Sequence, residues 1–141
     1  MIGRPAGGCL GWMIVFRTAG FFLFGVSAVG AVTPALDMPA HWQVVSDFNV
    51  PAAQVASISQ KLGADLASVR NTVYSVNGKR VQINVIVTVN AENAEKLMKT
   101  LSSMKVKEAL LRKGRTVYEF VGPNDVLPLI KEGRDHLASL K

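Results

Sequence analysis

The stretch Ser68–Val89 reads SVRNTVYSV, NG, KRVQINVIVTV, and its centre decides the fold. Asn77-Gly78 is the pair that best accepts the positive φ angles of a two-residue type I′ turn. Beyond it, Val81, Ile83, Val85, Val87 and Val89 alternate with Gln82, Asn84, Ile86 and Thr88. That period of two is a strand with one apolar and one mostly polar face. A two-residue turn sets Tyr74 opposite Val81 and Thr72 opposite Ile83, so both join the apolar face. The sequence therefore predicts a hairpin with arms Ser68–Val76 and Lys79–Val89.

Toward the C-terminus, Asn90 is a natural N-cap for a helix over Ala91–Ser103. Glu92 and Glu95 lie near the positive end of its dipole and Lys99 beyond them. Ala94, Leu97, Met98 and Leu101 form its apolar stripe. Lys105–Lys113 holds helix formers but is too short to assign. Arg115–Val121 reads as a strand that Gly122-Pro123 ends. Asn124 or Asp125 then caps a last helix to about Leu140, with Pro128 in its first turn and Val126, Ile130, Leu137 and Leu140 on its apolar side. Toward the N-terminus, Trp42–Asn49 is a strand. Pro51 opens a helix carrying Val55, Ile58 and Leu62, and Gly63 is its C-cap.

The order β-α-β-β-α-β-α predicts an α+β domain. The expectation is a ferredoxin-like βαββαβ plait, a four-stranded antiparallel sheet with helices on one face, plus an additional C-terminal helix. The long, valine-rich third strand belongs at the centre. Gln82, Asn84 and Thr88 would lie on the open face, with the added helix either over that face or along an edge.

The N-terminus reads as a signal segment. Arg4 and Arg17 are the only charges before Asp37, and Ala19–Val32 (AGFFLFGVSAVGAV) is almost wholly apolar or small. A basic start, a short apolar core and a small-residue exit mark a secretory signal, with cleavage expected after Gly30 or Ala31. The expected division is 1–31 signal peptide, 32–41 irregular lead-in and 42–141 single domain, placed in the periplasm or secreted. Leu10–Val32 is also long enough to span a bilayer, so an uncleaved anchor is the alternative. Arg17 inside that stretch argues for the signal. Removing the segment takes away Cys9, the one cysteine, and with it any disulfide or thiolate metal site.

Candidate chemistry is sparse. His41 stands at the mouth of the first strand and His136 lies in the last helix, four residues after Glu132 on one helical face. Two ligands do not make a metal site, and neither a metal nor a cofactor is expected. Asp47 is the acid flanked by strand aromatics. His41, Asp47 and His136 are the candidate catalytic residues, for a small enzyme or ligand binder with a pocket between the sheet and the last helix. Charge is more informative. Taking Arg4 and Arg17 from the sixteen basic residues leaves fourteen against ten acids, a formal charge of +4. Lys96, Lys99, Lys105, Lys107, Arg112, Lys113 and Arg115 are the candidate binding residues, a cluster able to meet an anionic envelope component or an acidic protein. Homo-oligomers through a sheet face or edge are a further expectation. Nucleic acid is not, because the central strand VQINVIVTV carries no aromatic to stack a base and export removes the partner. The function expected is thus an exported, non-enzymatic binding or interaction module.

In layout, Trp42–Phe48 and Gly78–Leu101 are similar to SPOR domains, periplasmic peptidoglycan-binding plaits of bacteria. Val89-Asn90-Ala91 stands where that family has a Gly-Pro-containing strand, so the likeness is one of layout and no site residue crosses over.

Overall fold

The computed structural model describes residues 36–141; the expected signal segment lies outside the described residues. The chain forms β1 (Trp42–Asn49), α1 (Ala52–Leu62), β2 (Leu66–Val76), β3 (Lys79–Thr88), α2 (Ala91–Ser102), β4 (Leu110–Lys113), β5 (Thr116–Val121) and α3 (Leu127–Ser139). Short 3-10 turns at Lys107–Ala109 and Asn124–Val126 precede β4 and α3. All strand pairs are antiparallel, in the order β1-β2-β3-β5-β4.

The local signals act as their chemistry requires. Asn77 and Gly78 take φ of 52° and 81° and turn β2 into β3, pairing Tyr74 with Val81 and Thr72 with Ile83. Asn90 Oδ1 accepts from the Asn93 backbone N–H at 2.9 Å and caps α2. Gly63 closes α1 in the left-handed region, with φ of 68°.

The four-stranded plait is not what the chain forms. A split β-α-β unit places another strand between the two that its helix joins, whereas β1 and β2 are adjacent and antiparallel. The fifth strand comes from Leu110–Lys113. It folds back on β5 through Gly114 (φ 63°) and Arg115, with Lys113 opposite Thr116. A glycine first in a two-residue loop is the pattern of a type II′ turn. The expected central place of β3 is found.

Both faces of the sheet are covered. Pairing places Val69, Ile86 and Val117 on one face, where they bury Ile58, Leu62, Leu97 and Leu101 of α1 and α2. Tyr74, Val81, Ile83, Val85 and Phe120 lie on the other, against Val126, Ile130 and Leu137. Val81, Ile83, Val85 and Ile86 are almost completely buried, worth about 1.5–3 kcal/mol each. The open polar face is thus corrected: Asn84 and Thr88 are fully buried, because Ile86 between them seats α1 and α2. The C-terminal helix instead covers the apolar face.

That helix also holds the chain's lead-in. Gly133 is the contact point: a Cβ there would stand 2.6 Å from Cη2 of Trp42. Leu36 and Met38 pack against the same core. No helix among the described residues is long and apolar enough to cross a membrane.

Candidate functional site

On the helix-covered polar face, the register brings Asn71, Asn84 and Glu119 into one row across β2, β3 and β5. Asn84 Oδ1 accepts from Asn71 Nδ2 at 2.8 Å and Gln82 Nε2 at 3.0 Å, and Asn84 Nδ2 donates to Glu119 Oε1 at 2.9 Å. Lys105 Nζ reaches within 3.3 Å of Glu119 Oε2, which is fully buried. Buried polar groups persist when they are hydrogen-bonded and charge-matched, and this row satisfies both conditions. It has no open approach and acts as a structural tie.

The opposite face ends differently. α3 does not reach the end of the sheet carrying Val87 and Thr116, and an open groove of about 870 Å³ remains there. Small-molecule sites span roughly 300–1,000 Å³. Val85, Val87 and Tyr118 line it from the sheet, Leu137 and Leu140 from α3 and Leu36 from the lead-in, and Val50, Val55 and Val69 of the α1 side also belong to its lining. Lys113, Arg115 and Lys141 stand at this groove with Asp37 as the one acidic side chain among its lining residues. Burial holds the Tyr118 hydroxyl above its ordinary pKa, so it stays a neutral donor.

Lys113 has a structural duty as well. Its Nζ donates to the carbonyls of Leu137 at 2.9 Å and Leu140 at 2.5 Å. Both carbonyls lie at the negative end of α3, where the Leu137 carbonyl also accepts from the Leu140 backbone N–H at 3.2 Å, so the ammonium offsets a partial negative charge there. Arg115 is exposed; its guanidinium contacts only loosely the Val89 carbonyl, at 3.4 Å.

The structure disperses the seven candidate binding residues. Lys96 and Lys99 lie exposed on α2 and Lys107 is exposed in the 3-10 turn. Lys105 is spent on Glu119. Arg112 pairs across from Val117, on the α2 side, where it reaches Glu95 at 3.7 Å and the Gly114 carbonyl at 2.8 Å. Lys113 and Arg115 are the two that line the groove. Consecutive strand residues point to opposite faces, so a run that is continuous in sequence becomes several patches in space.

The three candidate catalytic residues are each engaged separately. His41 Nε2 lies 2.9 Å from Glu132 Oε2, so the Glu132–His136 pairing read from helical spacing gives way to one across elements. His136 Nε2 bonds the Asp37 carbonyl at 2.8 Å. Both histidines fasten the lead-in to α3. Asp47 accepts from Arg70 Nε at 2.7 Å and Thr72 Oγ1 at 3.0 Å, tying the edge strand β1 to β2. That hydrogen bond raises the Arg70 pKa. Tyr74 is pushed up to about 12, by burial first and then by the negative Asp47. Among the described residues, no group of three His, Cys, Asp or Glu side chains is placed to hold a metal ion.

Sequence reasoning missed the groove floor, although Val85 and Val87 belong to the alternation it used. What it lacked was the face on which α3 packs, since it set that helix over the polar face or along an edge. No protein-family model matches the chain, and no curated protein and no solved structure matches it either.

Proposed function

We propose that the chain is an exported, non-enzymatic binding module, acting in the periplasm or outside the cell, whose ligand enters the groove beyond the end of α3. The observation that carries this reading is an open groove of about 870 Å³ with apolar residues from the sheet and three cationic side chains against one acidic side chain. Such a combination suits a component of the cell envelope with apolar and anionic parts. The N-terminal signal expected from the sequence delivers the chain to where such components lie. The side chains that sequence offered for catalysis serve as braces between elements, which supports binding over chemistry.

The test is retention of the 141-residue chain on cell-envelope fractions at low salt, compared with Val87→Trp, which fills the groove floor. Retention of the parent chain and its loss in the variant, at an unchanged melting temperature, supports the reading. Equal retention of both removes the groove from the account.

The edge strand β1 favours a second reading, self-association. Val44 and Val45 are 59% and 45% exposed on it, and the strand carries no lysine or proline to discourage a partner strand. Sedimentation showing only monomer at high concentration overturns it.

A further inference from the structure

We infer that the groove takes a single-chain anionic amphiphile, a long apolar chain ending in a carboxylate or phosphate, free in solution rather than in a bilayer. This rests on the groove's being the binding site and adds the class of ligand. The groove is concave: its floor is recessed sheet, walled by α3 on one side and Leu36 on another. That shape surrounds a chain, whereas a bilayer surface would meet only its rim.

The two ends of the site differ in chemistry. Val85, Val87, Leu137 and Leu140 line the groove with apolar side chains. Arg115 and Lys113 flank the β4–β5 turn, and Lys141 stands near the end of α3. Because Lys113 already offsets the negative end of α3, the exposed Arg115 and Lys141 are left to meet an anion. Arg115 offers a planar fork of donors that matches two oxygens of one head group. Thr116 and Tyr118 also line the groove and carry hydroxyls able to donate. An uncharged chain would leave these cations only Asp37 and the long contact to the Val89 carbonyl. A multivalent anion lacking a chain would leave the floor exposed.

The experiment is photolabelling of the full 141-residue chain with a long-chain carboxylate bearing a diazirine, against the matching alcohol, with labelled peptides located by mass spectrometry. The expected result is carboxylate label on peptides holding Val85, Val87 and Leu137. In the Arg115→Glu/Lys141→Glu double variant this falls about tenfold, as for loss of a charge-assisted contact, with the melting temperature unchanged. Excess unlabelled carboxylate or alkyl phosphate competes, and vesicles of anionic lipid at the same lipid concentration do not. Equal labelling by acid and alcohol, unaffected by the variant, overturns the anionic class while leaving the groove as a binding site. Competition by vesicles as strong as by the free acid overturns the free-ligand claim. Absence of label from the groove peptides overturns both this inference and the reading beneath it.

Discussion

The two faces of the sheet are built from the same strands, yet they do opposite things. On one, Asn71, Asn84, Glu119 and Lys105 are drawn into a closed row beside the α1 and α2 core. On the other, valines and aromatics meet a single helix that stops before the sheet does. The polar row is sealed, whereas the apolar face is left partly open at its end, where the groove also takes in Val50, Val55 and Val69 from the other core. Polarity of a strand face therefore does not report its exposure. What reports it is whether enough helix follows in the chain to cover it.

Breaking the sealed side has the largest expected effect. Glu119→Leu leaves the Lys105 ammonium and the Asn84 amide without their buried partner, a loss of about 3–5 kcal/mol. Glu119→Leu with Lys105→Met should recover most of it, since an apolar pair of similar size is often neutral or better. Urea unfolding of the two variants decides the matter, and a double variant no better than the single one would contradict a charge-matched tie.

Next comes the junction of α3 with the apolar face. Gly133→Ala drives a methyl to within 2.6 Å of Trp42. Overpacking of about 1–3 kcal/mol outweighs the gain of about 1 kcal/mol in helix propensity. Thermal melting should show a net fall in stability, and a rise would mean that Trp42 is free to move aside.

The same face predicts an alkaline weakness. Tyr74 is held at about 12 against 10.0 for an ordinary tyrosine, and a raised pKa of this kind stabilises the fold fully below pH 10. Between pH 10 and 12 the unfolded chain deprotonates first, so stability falls as pH rises through that window. Denaturant titrations at pH 8 and pH 11 should differ in the parent chain and differ less in Tyr74→Phe. An equal difference in both would remove Tyr74 as the cause.

The smallest effect belongs to the open groove. Arg115→Glu should change stability by no more than about 0.5 kcal/mol, because the side chain is exposed and makes one long contact. A larger change would place Arg115 among the structural braces and weaken its part in binding.

These contrasts also show how far the sequence can be read. Asn77-Gly78, Asn90 and Gly63 announce their turns and caps through local chemistry, and the structure uses each as expected. Strand β4 was hidden because KEALLRK is rich in helix formers; its state is fixed by pairing with β5, a contact that propensity does not contain. The four-stranded plait failed for the same reason, since element order leaves open which strand lies beside which. Of the candidate site residues, Lys113 and Arg115 reach the groove. Lys105 looked like another surface lysine, because nothing near it in sequence shows that Glu119 lies buried beneath it. The histidines looked like chemistry because their partners, Glu132 and the Asp37 carbonyl, come from other elements.

Neighbouring residues on β3 offer the most direct measurement. Val87 faces the groove and Ile86 faces the sealed core. Methyl NMR of the 141-residue chain should show, on addition of soluble envelope extract, shifts at Val87, Leu137 and Leu140, with Ile86, Leu62 and Leu97 unmoved. Shifts at Ile86 and Leu97 with Val87 still, or no shift at any of these methyls, would contradict the assignment of binding to the apolar face.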